Sequence, residues 1–276
     1  MKSNIHFSAI IMLLLMSLCV KPARAQQHLD LPLWPEKAGT EDYADAKLQV
    51  FIPEKSNGVA VIACPGGGYA YLALEKEGTN FASFFNEQGI ALIVLKYRLP
   101  KGRAGVPLAD ARRALQLVRE HADQWHIDKN KVGIMGSSAG GHLAATASTH
   151  LSGEERPAFQ VLLYPVISME EGLTHEGSRK SLLGEAPGAA LVKEYSNEQQ
   201  VTEQTPPAFI AVSDDDKTVS SLNSIRYYEA LHEKKVPVSL HIYPTGGHGW
   251  ALNDYRYKPE WTAELKKWLQ TLSWAH

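Results

Sequence analysis

The sequence predicts an α/β fold, with one mostly parallel central sheet and helices on both faces. Three observations carry that expectation. From Val59 onward, short and almost wholly apolar runs alternate with amphipathic helical patterns. Unbroken apolar runs mark strands covered on both faces, as parallel strands are. The 276 residues hold no internal repeat and no linker, and that length suits one large core.

The elements follow in order. Residues 1–25 read as a secretory signal peptide. Lys2 supplies the positive start, and Ile10 to Val20 is an apolar run too short to span a bilayer with these flanks. Ala23-Arg24-Ala25 places small residues at −3 and −1, so the cut falls before Gln26. A lipoprotein anchored at Cys19 is the alternative, and the bulky Leu18 just before it disfavours that. A periplasmic or secreted protein with one domain over 26–276 is expected. Gln26 to Gly39 reads as an irregular arm, with Pro32 and Pro35 blocking helix. Strands are expected at Val59–Ala63, Ile90–Leu95, Val132–Met135, Phe159–Tyr164, Ala208–Val212 and Val238–Tyr243. Helices are expected at Gly78–Gln88, Pro107–Trp125, Ser138–His150, Val219–Lys234 and Pro259–Leu272. Phe81, Phe84 and Phe85 share a face of the first, and Leu108, Ala111, Leu115 and Val118 have core spacing in the second. Ser168 to Pro207 shows no clear strand and reads as a cap or a long excursion.

Composition removes several classes. There are 28 Lys+Arg against 30 Asp+Glu, a net charge of −2, which does not suit a nucleic-acid binder. Two Cys, one of them inside the signal segment, exclude a disulfide framework. Cys64, in an apolar run with no basic neighbour, reads as a small buried hydrophobe. Beyond residue 25 no apolar stretch is long enough for a membrane span.

Chemistry concentrates at the ends of the expected strands. Gly136-Ser137-Ser138-Ala139-Gly140 fits G-x-S-x-G between a strand and a helix, which makes Ser138 the candidate nucleophile. The new helix N-terminus offers free N–H groups to a developing oxyanion. Gly66-Gly67-Gly68 follows the first apolar strand. Such a run turns amide groups into a cavity, so Gly67 and Gly68 are expected to complete the oxyanion hole with Ala139. No G-K-[ST] or G-x-G-x-x-G spacing supports a nucleotide loop there. Asp214, Asp215 and Asp216 follow the fifth strand, and His248 follows the sixth, in the order Ser, acid, His. His248 is the candidate base, and the spacing leaves the three Asp undecided. His248 must be neutral to accept a proton, so activity is expected to fall on the acid side of neutrality. No H-E-x-x-H or C-x-x-C pattern suggests a metal. His142 reads as a packed or capping side chain. Tyr69, Tyr71 and Trp250 are aromatic candidates for contact with a sugar ring or an acyl group.

The chain resembles the α/β-hydrolases. It is similar to bacterial carbohydrate-esterase-like members, of acetyl-xylan or feruloyl esterase type, related to the hormone-sensitive-lipase branch. The matching pieces are CPGGGY (64–69), EG (77–78), KYR (96–98), PLADARRAL (107–115), GSSAGGHLA (136–144), GSRKSLLGE (177–185), TPPAFI (205–210), SDDDKTVSSLNS (213–224) and GGHGW (246–250). The resemblance implies an α/β-hydrolase fold, no cofactor, and Asp216 as the acid with Asp215 as runner-up. Two departures stand out. Pro65 occupies the His of the lipase-type HGGG motif, and Ser220 replaces a Pro common after Val219.

Together these readings predict an exported serine esterase. It should act on short acyl esters, acetyl first, of plant-derived carbohydrate, taking a small-molecule or oligosaccharide substrate and neither nucleic acid nor membrane. A serine peptidase of the same fold and an inactive binding protein are the alternatives. A lipase is disfavoured, because 168–207 shows no long apolar lid helix.

Overall fold

The computed structural model describes residues 27–37, 40–253 and 255–272. The expected signal peptide at 1–25, with its alternative anchor at Cys19, lies outside the described residues. One sheet contains β1 (Gln27–Pro32), β2 (Lys47–Ile52), β3 (Gly58–Cys64), β4 (Ala91–Lys96), β5 (Ile127–Ser137), β6 (Gln160–Leu163), β7 (Ala208–Ser213) and β8 (Val238–Tyr243). Their spatial order is β1-β2-β4-β3-β5-β6-β7-β8. Pairings β1/β2 and β2/β4 are antiparallel, and the remaining neighbours are parallel. The helices are α1 (Glu41–Ala44), α2 (Ala82–Asn86), α3 (Gly105–Glu120), α4 (Ala122–Trp125), α5 (Ala139–His150), α6 (Glu176–Leu183), α7 (Ala189–Tyr195), α8 (Leu222–Glu233) and α9 (Lys258–Thr271).

Alternate residues of each parallel strand enter two separate cores. Ile62, Ile93, Ile134, Leu162 and Ile210 join Leu115 of α3, Leu143 of α5 and Leu231 of α8 on one side. Val61, Val94, Met135, Val161 and Phe209 join Phe81 just before α2, Phe85 of α2, and Trp261 and Leu265 of α9 on the other. That two-sided burial is why the strands read as unbroken apolar runs.

The N-terminal edge differs from expectation. Residues 27–32 form β1 rather than an irregular arm. A proline is tolerated at the end of an edge strand, where its missing N–H costs no ladder bond. The strand β2 shows no unbroken apolar run because it alternates. Leu48, Val50 and Ile52 are buried while Lys47, Gln49 and Phe51 are only partly covered. The helix expected at 78–88 shortens to a 3-10 turn at Thr79–Phe81 followed by α2. The helix expected at 107–125 breaks at His121 into α3 and α4. The helix expected from Val219 starts at Leu222, because the residues before it wrap the Asp216 carboxylate. Within 168–207 lie α6, α7 and a 3-10 turn at Asn197–Gln199, and no strand.

A buried ion pair ties this edge to the body. The fully buried Asp110 carboxylate accepts from the Arg98 guanidinium at 2.6 Å, the Arg98 amide at 2.8 Å and the Trp34 indole at 2.8 Å. The Arg98 guanidinium also lies 4.1 Å above the Tyr43 ring.

Candidate active site

From β3 the chain winds one way to β4 and the other way through β5 to β8, so the strand order reverses between β3 and β5. Ligands of open α/β sheets bind in the crevice at the carboxyl ends of strands flanking such a point. The parallel register pairs Cys64 with Gly136, which brings the loop after β3 level with the turn after β5. The strand β5 passes through Ser138 directly into α5. Ser138 is strained, with φ 55 and ψ −122, a conformation that costs about 1–3 kcal/mol. Its amide donates to the Leu163 carbonyl at 3.0 Å, and its carbonyl accepts from Val166 at 3.0 Å. These bonds fix the turn from β6. The flanking glycines permit close packing. A Cβ on Gly136 would collide with the Gly140 carbonyl, and one on Gly140 with the Cys64 carbonyl.

The loops after β7 and β8 are neighbours because Ser213 pairs with Tyr243 at the strand ends. They bring acid and imidazole together. His248 Nδ1 lies 2.7 Å from Asp216 Oδ2, and His248 Nε2 lies 2.8 Å from Ser138 Oγ. Since a carboxylate only accepts, Nδ1 carries the proton, and the bare Nε2 accepts the Ser138 hydroxyl proton. The Asp216 side chain is fully buried. Its other oxygen accepts from the amides of Thr218 and Val219, both at 2.9 Å. The three acids thus separate. Asp215 is exposed and accepts from the Gly247 amide at 2.8 Å. Asp214 is exposed, and its backbone amide donates to the Tyr243 carbonyl.

The glycine loop faces the hydroxyl. A Cβ on Gly66 would lie 2.9 Å from Ser138 Cβ, so the loop and the elbow are in contact. Gly67, Gly68 and Tyr69 all have positive φ, at 124, 63 and 59. A Cβ on Gly67 would strike the Tyr71 carbonyl oxygen, so only glycine fits there. Among the described residues, no hydrogen bond uses the amide groups of Gly67, Gly68 or Ala139. Glu77 holds the loop from below. It is buried, takes the Gly66 amide at 2.8 Å on one oxygen and the Tyr164 hydroxyl at 3.0 Å on the other. Burial and the Glu77 charge raise the Tyr164 phenol well above its ordinary value, so it donates as a neutral group. The Tyr164 ring meets the His248 ring edge to face, with centroids 4.8 Å apart.

A family model for the alpha/beta hydrolase fold matches residues 61–252. The chain belongs to the alpha/beta hydrolase fold family. An acetylxylan esterase of Xylanibacter ruminicola is 39% identical over 236 residues, which are 84% of this chain and 49% of that protein. An endo-1,4-beta-xylanase B of Butyrivibrio fibrisolvens is 31% identical over 77% of this chain and 35% of its own length. The chain therefore spans about half of the first curated relative and about a third of the second. Among solved structures, an acetyl ester-xyloside bifunctional hydrolase from Caldicellulosiruptor lactoaceticus superposes with a TM-score of 0.81. It is 36% identical, over 94% of this chain and all of that one.

Within this hydrolase fold, two expected contact residues are not at the surface. Tyr69 is only 2% exposed, and its hydroxyl meets His142 Nδ1 at 2.9 Å. Trp250 is only 5% exposed; its indole donates to Ser213 Oγ at 3.0 Å and its ring stacks on Tyr255. Both are packed behind the loops they follow, because a large aromatic next to a glycine turn finds the core closer than solvent. Tyr71, at 65% exposed, is the ring that stays outside. His142 is fully buried, and its Nε2 donates to the Tyr195 carbonyl at 2.8 Å. Cys64 is buried in the core, and burial raises its thiol far above the ordinary value. Among the described residues, no group of three or more His, Cys, Asp or Glu could hold a metal. Sequence reasoning missed the roles of Glu77 and Tyr164. Only the EG pair at 77–78 pointed there, through the resemblance.

Proposed function

We propose that this hydrolase is an exported serine esterase that removes short acyl groups, acetyl first, from plant-derived carbohydrate. One observation carries the reading: a hydrogen-bonded chain Asp216–His248–Ser138 facing three unclaimed amides. His248 Nε2 takes the proton as Ser138 Oγ attacks the acyl carbonyl carbon. The negative oxygen of the tetrahedral intermediate sits on the amides of Gly67, Gly68 and Ala139, and one such donor is worth about 3–4 kcal/mol. Collapse breaks the acyl–oxygen bond, and His248 returns its proton to the departing alcohol. Water, activated by the same imidazole, then frees the acid and restores Ser138.

The acetyl-carbohydrate part draws support from the protein named acetylxylan esterase at 39% identity and from the acetyl ester-xyloside hydrolase of similar structure. An exposed ring, Tyr71, beside the glycine loop suits stacking on a sugar. The pattern of residues 1–25 supports export to where such polymers are met. The deciding measurement is acetate released from acetylated xylan, set against ferulate released from feruloylated xylan, by the parent and by Ser138→Ala. Acetate release by the parent, and almost none by Ser138→Ala, is expected. Equal release by both proteins would remove Ser138 from the reaction, and ferulate release exceeding acetate would change the acyl group.

A further inference from the structure

His175 stands at the start of α6, in the excursion between β6 and β7, and nothing in the reaction above uses it. Its ring is fixed from one side. Nδ1 accepts the Ser178 amide at 3.2 Å and lies 2.8 Å from Ser178 Oγ. A backbone amide can only donate, so Nδ1 is bare and the proton of the neutral ring sits on Nε2. Among the described residues, that Nε2–H has no hydrogen-bond partner. The ring is half-buried, and its outer edge faces the glycine loop: a Cβ on Gly68 would lie 3.8 Å from Cε1. Burial lowers its affinity for a proton. His175 thus lies against the glycine loop rather than out in solvent.

We propose that His175 is a substrate-binding residue that donates a hydrogen bond from Nε2 to an oxygen of the alcohol half of the ester. The inference rests on the esterase reading above and names how the sugar is held. The acyl carbonyl oxygen belongs to the amides of Gly67, Gly68 and Ala139, and an acetyl methyl has nothing to accept with. The alcohol must lie beside His248 to receive its proton. A donor beside the glycine loop that is not one of those amides thus meets the alcohol half. Beyond the ester oxygen common to both, a polyol offers neighbouring hydroxyl and ring oxygens, whereas p-nitrophenol offers only a nitro group across the ring. A partly buried donor without a partner is costly, so a ligand acceptor is worth more there than at an open surface.

The test compares two acetyl esters, an acetylated xylo-oligosaccharide and p-nitrophenyl acetate, with the parent, His175→Ala and His175→Asn. Asparagine caps a helix as well as any residue, so His175→Asn keeps the start of α6 while its short amide does not reach the site. Both variants should lose roughly tenfold in kcat/KM on the sugar ester, the scale of one hydrogen bond. On p-nitrophenyl acetate both should stay within about threefold of the parent. Parent-like sugar kinetics in His175→Asn would show a capping role alone and overturn the proposal. An equal loss on both esters would overturn it too. A parent that cleaves p-nitrophenyl acetate but no acetylated sugar sinks the carbohydrate reading and this inference with it; the first two outcomes sink the inference alone.

Discussion

Two adjacent carboxylates of the Asp run do different work, and the difference is measurable. Asp216 is buried against the His248 Nδ1 proton, whereas Asp215 is exposed and accepts from the Gly247 amide. Asp216→Asn places an amide where a carboxylate held the tautomer and balanced the imidazolium. A fall of about 10⁴ in kcat is expected, the scale known for that exchange. Asp215→Asn keeps an oxygen for Gly247 and should stay within about threefold in kcat, because an exposed hydrogen bond is worth little. Kinetics on p-nitrophenyl acetate reads both, and a larger loss at 215 than at 216 would reverse the assignment. The elbow and the order of serine, acid and imidazole were legible in the residues alone, since each motif sits at a strand end. The choice of acid was not, because three successive side chains differ only in which way the turn points them. Glu77 and Tyr164 were hidden for another reason: they are 87 positions apart, and only the fold makes them neighbours.

At the scale of elements, the loop after β3 depends on a strut it does not contain. Glu77 takes the Gly66 amide and the Tyr164 hydroxyl, so it links that loop to the aromatic ring against His248. Glu77→Ala would orphan two buried donors, each at about 1–3 kcal/mol. Glu77→Gln can still offer an oxygen to Gly66 and turn its amide toward the tyrosine oxygen. Urea unfolding should place the alanine variant about 2–6 kcal/mol below the parent and the glutamine variant much nearer to it. The alanine variant should also lose kcat more than it raises KM, because a displaced loop fails the oxyanion rather than the bound ester. Equal stability of the two variants would show that the strut carries no weight. The parallel strands were legible as elements because both of their faces are buried. The edge was not, since β1 ends in Pro32 and β2 alternates. The helix expected near Phe81 is shorter than its pattern suggests, because three phenylalanines on one face fit a short turn as well as a full helix.

The whole molecule carries a proton-linked weakness at a fully buried histidine. His142 lies on α5 and joins three parts of the chain: its own helix, the glycine loop through Tyr69, and the end of α7 through the Tyr195 carbonyl. Nε2 must donate to that carbonyl, so the neutral ring accepts the Tyr69 hydroxyl at Nδ1. Burial lowers its pKa from 6.5 to about 4. The folded protein therefore resists a proton that the unfolded chain accepts. The stability tied to the neutral ring is fully present above pH 6.5 and is lost as the pH falls towards about 4. Between pH 7 and pH 5 this residue alone should remove about 2 kcal/mol of unfolding free energy. His175 and His241 are also lowered by burial and act in the same direction, so the parent's total slope is not a measure of one residue. The difference between parent and His142→Gln is. Glutamine donates to a carbonyl and accepts from a hydroxyl but takes up no proton here. The variant should be less stable at pH 7 and lose about 2 kcal/mol less than the parent on going to pH 5, by urea unfolding at both values. Parallel losses in the two proteins would mean that the ring is protonated in the fold without harm. The junction of glycine loop, elbow helix and excursion would then not be what acid undoes.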